Sequence, residues 1–185
     1  MMNETKAELY KRYPISSVLL YNGSTILHFL LGGIGIMLGY RSWPWVGYTV
    51  GLLYLVFAFA EMYVVMPVAV CPHCVYYRLK GSLCVSGLNV VSQRFAKEGD
   101  PKRFAQRAEG LLCPNNLYLF SLVLPILALI PALILGFSWP LLVILAGLLA
   151  LLLYRFFVIF PRVACIHCYA KHQCPQAEAM GVRER

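Results

Sequence analysis

The chain has 185 residues, of which 60% are hydrophobic and 13% are charged. Soluble domains are about half apolar and about a quarter charged, so this composition excludes an ordinary soluble protein. The formal net charge of +8 does not indicate nucleic-acid binding, because no basic stretch is interleaved with aromatic residues, and we expect no nucleic-acid partner.

The first 14 residues (1–14) are predicted to form an interfacial segment. Thr5 and Glu8 have the spacing of a helix capping box. This spacing favours a short amphipathic helix over Asn3–Tyr13 that rests on the membrane surface through Leu9 and Tyr10. A solvated tail is the alternative interpretation.

Four apolar stretches are each long enough to cross the hydrocarbon core of a bilayer, which takes roughly 20 helical residues. They are Ile15–Leu38, Pro44–Met66, Asn116–Leu135 and Pro140–Phe160. Lys and Arg are concentrated before the first span, between the second and third, and after the fourth, whereas the two short connections carry only Arg41. The positive-inside rule therefore predicts a multi-pass protein of the cell membrane with both termini in the cytoplasm and the bilayer as its first partner.

The first span has a polar face. Tyr21, Thr25 and His28 lie at helical spacing within it. One interpretation is a cofactor pocket for a quinone or a lipid headgroup. The other, which we favour, is that this face points into the bundle and hydrogen-bonds to neighbouring helices.

The spans are joined in pairs by two turns of nearly the same sequence. Leu-Gly-Tyr-Arg-Ser-Trp-Pro ends at Pro44, and Leu-Gly-Phe-Ser-Trp-Pro ends at Pro140. The second helix of each pair then runs into Pro-x-x-x-Cys-x-His-Cys. The sequence thus predicts an all-α bundle of four transmembrane helices, formed by tandem duplication of a two-helix hairpin about a pseudo-twofold axis along the membrane normal.

This repeat sets the predicted organisation of the chain. The interfacial segment is followed by a first hairpin with its cysteine turn (15–82) and by cytoplasmic or interfacial loop helices (83–113). A second hairpin with its cysteine turn (114–174) and a C-terminal tail (175–185) complete it. In the loop, Leu88, Val91 and Phe95 indicate one helix, and Asp100-Pro101 followed by Phe104, Ala108, Leu111 and Leu112 indicates another. Pro125 and Pro131 are expected to kink the third span.

Two charged residues lie within the spans at corresponding places. Glu61 and Arg155 each precede the last proline of their helix by six residues. Because charge inside a membrane is costly and usually paired, we expect an ion pair between them. The alternative is that Glu61 carries protons or contacts a substrate headgroup.

The cysteines predict a metal site at the cytoplasmic face, where thiols stay reduced. Two Cys-x-x-Cys pairs complete a tetrahedral site for zinc or iron, and the chain supplies Cys71, Cys74, Cys165 and Cys168. Further candidate ligands are Cys84, Cys174 and Cys113, with His73 and His167 in supporting positions and His172 as a last candidate. Zinc is favoured over iron as a mononuclear site.

An iron–sulfur cluster is the alternative cofactor. Cys165-x2-Cys168-x5-Cys174-Pro175 is similar to the cysteine run of bacterial ferredoxins, which ends in Cys-Pro, although the compact three-cysteine start is missing. A Cys-x-x-Cys at a membrane helix end also resembles, in architecture only, the four-helix thiol oxidases of the disulfide-bond-forming and vitamin K epoxide reductase types. Those enzymes work on the oxidising side of the membrane.

The function expected from these features is that of a membrane metal-binding protein. We favour a small electron-relay or accessory subunit of a membrane redox complex, with partner subunits and a quinone as its partners. A structural zinc-clamped scaffold or docking protein is the second interpretation. A quinone-linked thiol oxidoreductase or a transporter of metals or thiols is the third.

Overall fold

The computed structural model of the chain describes residues 7–107 and 113–182, without the side chains of 106 and 107. These residues are helical or irregular, and they contain no strand. Four of the helices are long and apolar enough to cross a membrane. The predicted four-span helical membrane protein is therefore confirmed at this level.

The first hairpin joins a straight span to a composite one. Helix α1 is Ile15–Gly39, and α2 is Pro44–Ala60, with Pro44 in its first turn, where a missing N–H costs no hydrogen bond. The second span then continues as a π-helical turn, Glu61–Val65, as helix α3, Met66–Ala69, and as a 3₁₀ turn, Cys71–His73. This span is Pro44–His73 in full and reaches beyond its predicted end at Met66.

Three short helices follow the first hairpin. They are α4 (Val75–Arg78), α5 (Leu88–Phe95) and α6 (Arg103–Arg107). Helix α5 lies where the apolar face of the loop predicted one. Helix α6 includes Phe104, but Ala108, Leu111 and Leu112 of the second predicted loop helix lie outside the described residues.

The second hairpin begins with α7, Pro114–Leu135, which contains both Pro125 and Pro131 without interruption. Helix α8, Trp139–Tyr154, is capped at its N-terminus by Ser138, whose hydroxyl accepts a hydrogen bond from the amide of Leu141 at 3.4 Å. The fourth span continues as a ten-residue π-helical segment, Arg155–Ala164. Helix α9, Pro175–Ala179, lies in the C-terminal part.

Helix α1 is the centre of the bundle, because it packs against α2, α7 and α8. Gly32 allows a close approach of α1 to α2 and α7: a Cβ added there would lie 2.8 Å from Cβ of Pro125 and 2.9 Å from the ring of Tyr54. Small residues at helix contacts are typical of membrane bundles, where close packing replaces the hydrophobic effect. The outward faces keep large apolar side chains exposed, such as Trp45 at 86% and Ile134 at 79%, as expected for surfaces in contact with lipid.

The N-terminal segment differs from its prediction. Over residues 7–13 it is not the predicted amphipathic helix. Of the predicted capping box, Glu8 lies in this non-helical stretch, and Thr5 lies outside the described residues. Instead it pairs with the backbone of Leu83: the amide of Tyr13 donates to Leu83 O at 2.9 Å, and the amide of Leu83 donates to Lys11 O at 3.1 Å. These contacts with a distant loop supply the backbone partners that a helix would otherwise provide.

Candidate metal centre

The two cysteine turns, Cys71–Cys74 (the first knuckle) and Cys165–Cys168 (the second knuckle), fold alike. The amide of Cys74 donates to Cys71 O at 3.1 Å, and the amide of Cys168 donates to Cys165 O at 3.2 Å. The following turn is also the same in both. The amide of Tyr77 donates to Cys74 O, and the amide of Lys171 donates to Cys168 O. Each knuckle therefore carries two thiols on a short turn that is closed by a backbone hydrogen bond.

Backbone amides also point at the sulfurs. The amide of Ala170 donates to Sγ of Cys168 at 3.4 Å. The sulfur of Cys74 has a corresponding contact with the amide of Tyr76, which again lies two residues later, and a weaker one with Val75. Hydrogen bonds of this kind stabilise a thiolate more than a thiol, because they place a donor beside negative charge.

The described cysteines of the two hairpins form two groups of three. The first thiol triad is Cys71, Cys74 and Cys84, and the second thiol triad is Cys165, Cys168 and Cys174. Within each triad the thiols interact electrostatically. Cys74 connects the triads, because it also interacts with Cys168 and Cys174. The structure thus brings six of the seven predicted cysteines to one end of the bundle, and none is in a disulfide.

The thiols of the knuckles are held in their neutral form. Burial raises the pKa of Cys74 to about 12, and the neighbouring Cys84 and Cys174 add to the rise. Burial, followed by the proximity of Cys174, also raises the pKa of Cys165 to about 12. The pKa of Cys168 is raised well above its usual value, by burial first and by Cys74 second. These thiols therefore need a positive partner to become thiolates at neutral pH.

The triads are not closed around a ligand position. Among the described residues, no group of three or more His, Cys, Asp or Glu side chains has the geometry to hold a metal ion. The donor set still suits a thiophilic metal, because it combines six thiols with amides directed at sulfur. Metal binding would have to draw these thiols together and remove their protons.

Cys113 has a different position from the other cysteines. It is 7% exposed and caps the start of α7, where its sulfur accepts a hydrogen bond from the amide of Asn116 at 3.3 Å. The predicted ligand is therefore used as a helix cap, a role that the following Pro114 also favours.

The two knuckle histidines fasten separate covering segments. Nδ1 of His73 donates to Asp100 O at 2.9 Å, and Nδ1 of His167 donates to Glu8 O at 2.7 Å. The assignment of donor follows from the carbonyl, which can only accept. Each histidine therefore ties a different chain segment over its knuckle.

Further backbone contacts complete these covers. The amide of Gly99 donates to Pro72 O at 3.1 Å, and a Cβ at Gly99 would lie 2.5 Å from the His73 ring, so that only glycine fits there. On the second knuckle, the amide of Tyr10 donates to His167 O at 2.9 Å, and the Tyr10 and His167 rings stack at 4.3 Å. His172, the last candidate ligand, lines a surface cavity of about 470 Å³ instead.

Two buried tyrosines lie close to the thiols. Tyr13 is 2% exposed and its hydroxyl donates to Ala164 O, whereas Tyr76 is 1% exposed and donates to Tyr10 O at 2.6 Å. Burial, followed by the proximity of Cys168, raises the pKa of both phenols, so they stay neutral. Neither tyrosine could be selected from its position in the sequence, because tyrosines near membrane surfaces are common.

The predicted ion pair between Glu61 and Arg155 is not formed. The only salt bridge within the described residues joins Arg78 to Glu98 at 2.7 Å on the surface. Arg155 is fully buried, and its Nη1 donates to Ser24 Oγ at 2.9 Å and to Thr25 Oγ1 at 2.6 Å.

Arg155 has two further acceptors. Its Nη1 lies 3.4 Å from Tyr21 O, and its Nη2 donates to Tyr118 Oη. The guanidinium carbon also lies 4.9 Å from the ring centre of Tyr21, 5.7 Å from that of Tyr118 and 5.4 Å from that of Phe160. Neutral oxygens and aromatic faces thus replace the expected carboxylate.

The polar face of the first span has protein partners. Thr25 and Tyr21 contribute acceptors to Arg155, and Nε2 of His28 donates to Leu122 O at 2.8 Å. Tyr21, Thr25 and His28 thus hydrogen-bond to neighbouring helices. This is the arrangement expected if the polar face points into the bundle, the alternative to a pocket for a quinone or a lipid headgroup.

Sequence reasoning missed several features of this region. Both composite spans change from α to π helix at the two charged residues, Glu61 and Arg155. Lys171 is also buried, at 1% exposure, with Nζ donating to Ile166 O at 3.3 Å. Of these unpredicted features, only the contact of Tyr118 with Arg155 could have been found from the sequence, because Tyr118 is a polar aromatic residue within an apolar span.

No protein-family model matches the chain, and no curated protein or solved structure is detectably similar to it.

Proposed function

We propose that this chain is a membrane protein whose two hairpins are tandem copies, joined at the cytoplasmic face by a metal–thiolate centre. The proposal is carried by the electrostatic interaction of Cys74 with Cys168 and Cys174, together with the packing of these three cysteines against one apolar cluster formed by Val70, Phe104 and Ala170. Each triad comes from a different hairpin, so a shared metal would join parts of the chain that are far apart in sequence.

The donors suit zinc first and iron second. One tetrahedral ion needs four thiolates, for which the two knuckles offer Cys71, Cys74, Cys165 and Cys168. Two tetrahedral ions that share two bridging thiolates would use all six thiols of the triads. An iron–sulfur cluster is the third arrangement that this donor set permits.

The function best supported is that of an electron-relay or accessory subunit of a membrane redox complex. The centre lies at the end of the bundle. The amide of Cys165 donates to Phe160 O at 2.7 Å, the ring centres of Phe160 and Tyr21 lie 6.2 Å apart, and the ring of Tyr21 packs on the guanidinium of Arg155. This polar and aromatic connection would suit electron transfer between a cytoplasmic partner subunit and the membrane phase, where a quinone is the natural acceptor.

A structural zinc clamp is the second candidate function. The covering segments favour it, because His73 and His167 fasten the loop near Asp100 and the N-terminal segment near Glu8 onto the knuckles. Zinc at the triads would then fix a docking surface without any redox change. The thiol oxidoreductase interpretation is less well supported, because a reactive Cys-x-x-Cys needs a lowered pKa and burial raises the pKa of Cys74, Cys165 and Cys168.

Metal analysis of the purified protein, combined with visible absorption, separates the candidates. Iron with charge-transfer bands that bleach with dithionite supports the relay and contradicts the zinc clamp. Stoichiometric zinc in a colourless sample supports the clamp and contradicts the relay. A protein purified without chelators that holds neither metal, and takes up neither under reducing conditions, contradicts the metal centre itself.

A pair of variants tests the ligand assignment. Cys71→Ser combined with Cys168→Ser removes one thiolate from each triad, and we expect it to lose the bound metal. Cys113→Ser is the matched control, because serine also caps a helix well and Cys113 serves α7; it should keep its metal. Equal retention in both proteins would show that the triads are not the ligands.

A further inference from the structure

Glu61 is a carboxyl inside the membrane-spanning bundle that lacks a hydrogen-bond partner for one oxygen. The residue is 3% exposed, and its Oε1 is buried without a hydrogen bond. It belongs to the second span, Pro44–His73, which is long and apolar enough to cross the membrane. An ionised carboxylate in such a place would lose its hydration without compensation.

No basic side chain on the neighbouring helices offsets that cost. The π-helical turn Glu61–Val65 packs mainly against α2, α3 and α7. None of these helices carries Lys, Arg, His, Asp or Glu, and their buried titratable groups are the phenols of Tyr54 and Tyr118. Tyr54 donates to Ser121 O at 3.0 Å, and Tyr118 Oη accepts from Arg155.

Two basic residues, His28 and Arg155, are buried within the described part of the spans. Nε2 of His28 donates to Leu122 O at 2.8 Å. Nη1 and Nη2 of Arg155 donate to oxygens of α1 and α7, its Nε is buried without a hydrogen bond, and no salt bridge joins it to Glu61. A buried carboxyl without a cation is more stable with its proton than without it.

Tyr63 of the same turn, though not Glu61 itself, has polar contacts in the direction of the thiol end. The hydroxyl of Tyr63 donates to Asn22 Oδ1 at 3.3 Å, and Nδ2 of Asn22 donates to Ser86 O at 3.1 Å. The hydroxyl of Ser86 lies 3.4 Å from the sulfur of Cys84. The π-helical geometry of Glu61–Val65 is itself of a kind often found at functional sites.

We propose that Glu61 is a proton-binding site inside the bundle, whose carboxyl carries an exchangeable proton at neutral pH. The ligand is the proton itself, and the site is independent of any metal at the thiol triads. Arg155 supplies a fixed positive charge elsewhere in the bundle, so that the two buried charged residues have separate roles.

Infrared spectroscopy of the folded protein tests this proposal. A protonated carboxyl has a C=O stretch separate from the amide and carboxylate bands. At pH 7 we expect this band in the unmodified protein and in Glu98→Gln, where a surface carboxylate paired with Arg78 is removed. Glu61→Gln should lose the band. In D2O buffer the band should shift, because the proton exchanges.

Three results would overturn the proposal. The first is a band that is absent at pH 7 and appears only near pH 4, as for a carboxyl in water. The second is a band that persists in Glu61→Gln, which would assign it to another residue. The third is a band that does not shift in D2O, which would show that the carboxyl does not exchange its proton. Glu61→Asp keeps the acid and should move the band in frequency, so the assignment does not depend on the folding of Glu61→Gln.

Discussion

The two helical hairpins agree at their cysteine turns and differ at their buried charged residues. Both knuckles close with the same backbone hydrogen bond, and both receive an amide at sulfur from two residues later. In the spans, by contrast, one π-helical segment begins at Glu61 and the other at Arg155.

This difference shows how a membrane bundle stabilises each sign of charge. The guanidinium of Arg155 keeps its charge because its donors reach several neutral oxygens and it contacts aromatic rings. The carboxyl of Glu61 has no comparable set of donors within the described residues, so its protonated form has the lower free energy. Glu61 and Arg155 therefore do not need to form an ion pair with each other, although they have similar places in the two hairpins.

The largest expected effect concerns the agreement between the knuckles. In the metal-free folded protein at pH 8, Cys74 and Cys165 should react with iodoacetamide about a thousandfold more slowly than in the denatured chain. The reason is that burial raises the pKa of both to about 12, and each pKa unit lowers the thiolate fraction about tenfold well below the pKa. Mass spectrometry of the labelled peptides measures each rate.

The pH profile separates this cause from simple shielding. Because the raised pKa keeps the thiolate fraction growing, the rate should rise about tenfold per pH unit from pH 8 to 11 at both cysteines. A plateau near pH 9 at either site would contradict the raised pKa. A pH profile that differs between Cys74 and Cys165 would show that the two knuckles do not raise the pKa of their thiols to the same extent.

The second effect concerns the difference between the buried charged residues. Arg155→Lys keeps the charge but replaces a planar fork by a single ammonium, which cannot reach the oxygens of α1 and Tyr118 together. We expect a loss of about 3 kcal/mol in the free energy of unfolding, since hydrogen bonds to charged groups contribute about 1.5–3 kcal/mol each. Unfolding of the detergent-solubilised protein by increasing SDS measures it.

Glu61→Gln is the matched comparison. Glutamine has the shape of a protonated glutamate, so the free energy of unfolding should change by less than about 1 kcal/mol. A large loss in Glu61→Gln together with a small one in Arg155→Lys would reverse the roles assigned to the two residues.

The sequence predicted the spans well because their signal is local and strong. About 20 consecutive apolar residues have few alternatives to a membrane helix, and the four helices lie close to the predicted bounds. The convergence of the cysteines followed from the repeated Cys-x-His-Cys pattern, which placed both knuckles at the same end of their helices.

The partners of individual side chains were not predictable from the same information. The capping-box pattern of Thr5 and Glu8 favoured a helix, but pairing with Leu83 across the chain determines the conformation of the described part of that segment. Arg155 finds its acceptors on α1 and α7, and charge periodicity alone contains no information about them. The π-helical segments were not predicted either. Each begins at a charged residue, Glu61 or Arg155, and a charged residue within a span indicates a polar contact without specifying a change of helix type.

The smallest expected effect distinguishes the two covers. His73→Ala should release the loop near Asp100, and His167→Ala the N-terminal segment near Glu8. Each loses one hydrogen bond, of about 1 kcal/mol, and His167→Ala also loses its stacking on Tyr10, which adds about 0.5–1 kcal/mol. Limited proteolysis should therefore show a new cleavage in a different segment for each variant, and a faster one in His167→Ala. Cleavage of both segments in both variants would mean that the two covers open together, so that the knuckles form one cooperative unit.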